Sequence, residues 1–210
     1  GETVKSSHLD EIKSSLETCI KTDKRDPHSE LSFGSFLKQT KFSIVWKGSH
    51  NKTPVAIKIF GDNELMKHEL SIFEALGAIK DDVLRYGIPK VYYSGKIFEK
   101  FHGIAMTLFG TTLQNYHKNH NPIANWNILS IFRKMVFALE YLNKCGIVHN
   151  NIEPANIFYE GDKLFIADFG AATLNGIQAT QKNDMVNKKF ASSNYYREEA
   201  RGPKDDLESL

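Results

Sequence analysis

His149-Asn150-Asn151-Ile152-Glu153-Pro154-Ala155-Asn156 is the stretch on which the fold turns. Upstream of it, Ile128, Ile131, Phe132, Met135, Leu139 and Leu142 recur at helical spacing and predict a helix over roughly 125–145, with Gly146 as a natural stop. Downstream, short apolar runs at 157–159 and 164–167 flank Glu160-Gly161-Asp162 and predict a β-hairpin. Twelve residues after Asn156 comes Asp168-Phe169-Gly170. The eight residues therefore form a polar loop between a long helix and a hairpin, with a carboxylate close behind.

Farther out the pattern changes period. Leu9, Ile12, Leu16 and Ile20 predict a short amphipathic helix over 9–22, and a polar break at Asp26-Pro27 follows. β-rich runs occupy 32–38, 43–48 and 55–60, with Asn51-Lys52 as a turn between the last two. Residues 63–76 return to a helical period, marked by Leu65, Glu69, Ile72, Phe73 and Leu76, and two further strands are predicted at 91–94 and 103–108. The fold class is α+β, a small β-rich lobe leading into a helical one. The predicted organisation is an N-terminal helical extension over 1–30, a small lobe and its connection over 31–109, and a partial helical lobe over 110–210.

A chain of 210 residues can bury a real core and fits one domain of two lobes. Its 41% hydrophobic and 25% charged residues are ordinary for a soluble globular protein. A formal charge of +2 gives no case for nucleic acid or membrane surfaces as partners. The sequence shows no transmembrane run and no signal peptide, so the expected location is cytoplasmic or nuclear. Cys19 and Cys145 stand in unrelated contexts, which suits a reducing compartment. Asn51-Lys52-Thr53 has the form of a glycosylation sequon and is read as a hairpin turn.

Taken with its surroundings, the opening stretch resembles the protein-kinase catalytic loop H-R-D-x-x-x-x-N. Val55-Ala56-Ile57-Lys58 matches the kinase V-A-I-K strand, and 168–170 is an intact D-F-G. A finer resemblance, over about 31–210, is to the casein kinase 1 group and its vaccinia-related kinase relatives. It is carried by Tyr86-Gly87-Ile88-Pro89, Met106-Thr107-Leu108-Phe109-Gly110-Thr111-Thr112-Leu113, Phe190-Ala191-Ser192-Ser193-Asn194 and the closing Asp205-Asp206-Leu207-Glu208-Ser209-Leu210. The resemblance implies a bilobal fold whose central large-lobe helix begins at Asp206. The chain would then be C-terminally incomplete, leaving the apolar side of 128–142 partly uncovered.

The same resemblance implies a site for ATP and magnesium. Lys58 would hold the α- and β-phosphates and Glu69 would fix its direction, with Glu64 as the rival partner. Adenine would lie against Val45 and Ala56 on one side and Phe158 on the other. The backbones of Thr107 and Phe109 would bond it, and Met106 would act as gatekeeper. Asn156 and Asp168 would hold the metal. His149 would be a packed histidine, and Asp206 an acceptor for N–H groups of the 149–151 loop. His117, His120 and Lys188-Lys189 read as solvated side chains.

Four departures weaken that machinery. Anchored on Val45, the glycine positions of G-x-G-x-x-G hold Lys38, Thr40 and Ser43, so the phosphate grip should loosen. Asn151 stands at the catalytic base and is not a carboxylate. Glu153 stands where this group carries a lysine and puts negative charge where phosphoryl transfer needs positive. Phe158 replaces a smaller residue under the adenine. The implied function is a pseudokinase with residual ATP binding that works through a protein partner, an active kinase or its substrate. Two alternatives stand beside it: a weakly active atypical serine/threonine kinase, and a scaffold or decoy that binds no nucleotide.

Overall fold

The computed structural model describes residues 2–119, 125–174 and 202–210. The 190–194 motif, Lys188-Lys189 and His120 lie outside the described residues. The fold is α+β. Two compact units are present, Gly1–Ser71 with Lys90–Leu108, and Ile72–Pro89 with Phe109–Leu210.

The first unit is built on one antiparallel sheet of β1 (Leu31–Gln39), β2 (Ser43–His50), β3 (Thr53–Phe60), β4 (Val91–Ile97) and β5 (Phe101–Thr107), in the order β1-β2-β3-β5-β4. Asn51 and Lys52 both have positive φ, 48° and 69°, between paired His50 and Thr53. That is the backbone a two-residue hairpin turn requires, so the sequon is a turn. Strand alternation sorts the sheet into two faces. Ile44, Trp46, Val55, Ile57, Ile59 and Ala105 lie on one, in a buried core with Leu31, Phe33, Ile97 and Phe101.

Helix α1 (Glu2–Thr22) packs into that core through Leu16, which is fully buried. Burying such a side chain contributes about 1.5–3 kcal/mol. Polar contacts set its position: Gln39 donates to Asp10 at 3.1 Å, Lys100 to Ser15 at 2.6 Å, and the His8 ring meets the Gly61 carbonyl at 3.0 Å. The helix starts seven residues earlier than its apolar period indicates, because residues 2–8 contain one apolar residue, Val4, and so no stripe. The opposite sheet face carries Val45, Ala56, Lys58, Ile104 and Met106, in register across β2, β3 and β5. Helix α2 (Asn63–Ala75) follows β3 and buries Met66 and Glu69.

The second unit holds α3 (Leu113–Asn119), α4 (Asn125–Lys144), the strand pairs β6 (Ile147–Val148) with β9 (Thr173–Leu174) and β7 (Ile157–Glu160) with β8 (Lys163–Ile166), and α5 (Pro203–Glu208). In α4 the buried stripe is Ile131, Met135, Ala138, Leu139 and Leu142. Ile128 and Phe132, expected on the same side, are half-exposed, as are Leu129 and Phe137. Helix α4 ends at Lys144, and Gly146 two residues on, with φ of 71°, suits a glycine stop. The hairpin around Glu160-Gly161-Asp162 forms as predicted. Helix α3 and strands β6 and β9 escape a periodicity reading, since two-residue strands have no period and α3 contains only Leu113 and Tyr116 as large apolar residues.

Candidate active site

In the first unit, β3 alternation sets Lys58 on the face away from the α1 core, and its Nζ reaches Glu69 Oε2 at 2.6 Å. The Glu69 side chain is 1% exposed and that of Lys58 10%. Glu64 instead pairs with Lys67 at 2.9 Å on the exposed side of α2. Val45 and Met106 are buried beside the pair's strand, and Ala56 and Thr107 are half-buried. Lys38 stands opposite Val45 in β1 and is exposed.

The loop between β1 and β2 is a closed turn. Thr40 N–H donates to Ser43 O at 2.8 Å, while Phe42 N–H and Ser43 N–H donate to Thr40 Oγ1 at 3.3 and 3.0 Å. The described residues with left-handed backbone lie elsewhere, so this turn does not need glycine.

In the second unit, the 149–156 loop is held from three sides. Asp206, 3% exposed, accepts His149 N–H at 2.6 Å and Asn150 N–H at 2.8 Å. Asn151 N–H donates to His149 Nδ1 at 3.3 Å, so the ring's proton is on Nε2, which donates to Ala167 O at 3.2 Å. That ring also meets Phe169 edge-on at 4.9 Å, a packing role. Asn150 adopts φ 65°, a region asparagine tolerates, and its amide donates to Val148 O, Ala171 O and Thr173 Oγ1 at 3.3, 3.1 and 3.0 Å.

Farther along the loop, Asn156 is 4% exposed and its amide donates to Asn151 O and to Glu153 Oε1, both at 3.2 Å. Its backbone carbonyl accepts Ala167 N–H at 2.9 Å, which fixes the distance from the loop to Asp168. Asp168 has φ 66° and ψ 75°, a strained backbone for a residue with a Cβ. Phe109 stacks on Phe165 at 4.2 Å and tilts against Phe158 at 5.5 Å, so the aromatic at 158 is packed within its own unit.

Residues 35–209 match the family model of the protein kinase domain. The chain belongs to the protein kinase family. Among curated relatives, Kinase suppressor of Ras 2 from Mus musculus is 26% identical over 170 residues, 76% of this chain and 17% of that protein. Serine/threonine-protein kinase PKH3 of Saccharomyces cerevisiae is 27% identical over 180 residues, 79% of this chain and 20% of that protein. The chain thus spans about a fifth or less of each of these two relatives. A solved structure of vaccinia related kinase 3 matches in fold with a TM-score of 0.74 at 17% identity, covering 88% of this chain and 64% of that one.

Within this kinase fold, the Lys58–Glu69 pair and the Asp206 anchor stand where the sequence places them. Two residues carry more than the sequence reading gave them. Asn150, at the arginine of H-R-D, ties the catalytic loop to residues 171–173. Thr40, at a glycine position of the motif, closes the turn between β1 and β2. The signal for both was available as a departure from the motif, but their partners are set by loop conformation, which a motif does not encode.

Proposed function

We propose that this kinase domain is a pseudokinase of the casein kinase 1 and vaccinia-related type, with residual nucleotide binding and a role exercised through a protein partner. The observation that carries the reading is the polarity of the catalytic loop. An amide, Asn151, holds the base position, and the carboxylate of Glu153 turns onto Asn156, one of the two residues proposed to hold metal. An amide cannot accept the proton of a substrate hydroxyl at neutral pH. A carboxylate beside the metal-holding side chain adds repulsion toward the transferred phosphoryl group.

The residues present still fit a nucleotide and a hard cation. Asn156 uses its NH2 group in the loop, so its oxygen is the atom a magnesium ion would take, together with the Asp168 carboxylate. Bound there, the metal would neutralise phosphate charge. Lys58, oriented by Glu69, would meet phosphates, and by the family resemblance Val45, Ala56, Met106 and Thr107 of the first unit, and Phe109 and Phe158 of the second, are the residues proposed to contact the base. Among the described residues, no helix is long and apolar enough to cross a membrane.

A thermal titration with ATP, with and without magnesium, tests the binding half of the proposal, since a ligand for the folded state raises apparent stability. A shift together with negligible phosphorylation of casein supports it. Appreciable phosphorylation that depends on Lys58 overturns it in favour of a weak kinase, and no shift under any condition favours a scaffold that binds no nucleotide.

A further inference from the structure

In the kinase motif G-x-G-x-x-G, backbone N–H groups of the loop approach the phosphates, and glycine keeps Cβ atoms out of the way. Here two of those amides are already taken. Phe42 N–H and Ser43 N–H both point at Thr40 Oγ1, which also lies 2.9 Å from Ser43 Oγ and donates to Ser43 O at 3.2 Å. A hydroxyl has two lone pairs, and these N–H groups use them. Thr40 therefore holds an oxygen where an anion's oxygen would otherwise sit between adjacent amides.

A phosphate entering this loop would have to exchange its hydrogen bonds to water for bonds that Thr40 already makes. Such exchanges yield little net free energy. The nearby cations are Lys38, on the Lys58 face of the sheet, and Lys41, in the turn itself; both are exposed, and exposed charges are screened by salt.

We propose that Thr40 is a specificity-determining residue: its hydroxyl substitutes for a phosphate oxygen, so the β1–β2 loop adds nothing to phosphate recognition, the tail is left to Lys58, already paired with Glu69, and to a metal, and ATP gains little over AMP. This inference rests on the nucleotide-binding reading above.

The test is calorimetric titration of the 210-residue chain with AMP, ADP and ATP in magnesium. For the unsubstituted chain, ATP is expected to bind less than about tenfold tighter than AMP. Thr40→Val deletes the hydroxyl and keeps the branched shape, and should raise ATP affinity about tenfold relative to AMP by releasing two amides to a charged acceptor. Thr40→Gly is a second hydroxyl-free variant in case the valine disturbs the turn. Thr40→Ser, which retains the hydroxyl, should keep the original ratio. A preference for ATP above about tenfold in the unsubstituted chain, or an unchanged ratio in both hydroxyl-free variants, overturns the inference while leaving nucleotide binding intact. Failure of AMP, ADP and ATP alike to bind refutes the nucleotide reading itself and this inference with it.

Discussion

Replacing Lys58 by methionine should destabilise the protein before it says anything about nucleotide. Lys58 Nζ and Glu69 Oε2 are 2.6 Å apart, and the Glu69 side chain is 1% exposed. At an effective dielectric constant near 20, two unit charges at that distance attract by about 6 kcal/mol, set against the desolvation of both. Removing one member leaves the desolvation of the other uncompensated, which typically costs about 3–5 kcal/mol. Lys58→Met should therefore lower the urea midpoint by a corresponding amount at unchanged slope.

The double substitution Lys58→Met with Glu69→Met removes both charges and should recover stability to within about 1 kcal/mol of the original chain. Loss of less than about 1 kcal/mol in the single variant, or a double variant as unstable as the two singles added, would refute a mutually dependent buried pair. The outcome bears on function. A phenotype of Lys58→Met in a nucleotide assay is interpretable as lost phosphate contact only if it persists in the stable double variant.

Three further outcomes are expected. Asp206→Ala leaves the buried N–H groups of His149 and Asn150 without their carboxylate, and should cost about 3 kcal/mol or more in urea titration, whereas Asp162→Asn, which disturbs only an exposed contact to Lys134, should change stability by less than about 1 kcal/mol. Asn151→Asp combined with Glu153→Lys should raise phosphoryl transfer to casein by about 10²-fold or more if the remaining machinery is sound, and no gain in a folded double variant counts against a preserved active site. Burial, and then the neighbouring Cys145, push the Tyr141 phenol up to about 12, so it keeps its proton in the fold above pH 10. Its stabilising contribution is complete below pH 10 and is lost as pH rises toward about 12; Tyr141→Phe should remove a late-titrating phenol from the ultraviolet titration and flatten that alkaline loss.

The parts legible in the sequence were those with a long period or a charged pair in a fixed frame. The alternation through 55–60 predicts which side of β3 Lys58 occupies, and the helical period of 63–76 predicts that Glu69, rather than Glu64, turns inward. The burial of α4 was only partly legible, because Ile128 and Phe132 satisfy the period yet lie outside the stripe that packs. Asn150 was illegible for a different reason. Its partners Ala171 and Thr173 lie 21 and 23 residues away, in a segment whose only strand, β9, is two residues long. Composition alone cannot indicate that an amide will find two acceptors there.

Three of the positions where this chain departs from the kinase pattern, Thr40, Asn150 and Glu153, share a physical trait that the motif comparison does not reveal. Thr40 directs its hydroxyl to Phe42 and Ser43 within its own turn. Asn150 directs its amide to the backbone of its own unit at Val148 and Ala171. Glu153 directs its carboxylate to Asn156, three residues on. In an active kinase, loop amides and charged side chains are aimed at a nucleotide, a metal or a transferring phosphoryl group, and they reach full hydrogen bonding only when those are present. Here the substituted side chains complete much of that bonding within the polypeptide. Polar groups that are satisfied internally gain little from a ligand and rigidify the loops that hold them. The substitutions therefore act together: they exchange ligand-dependent order for intrinsic order, which is consistent with the proposed role exercised through shape rather than turnover.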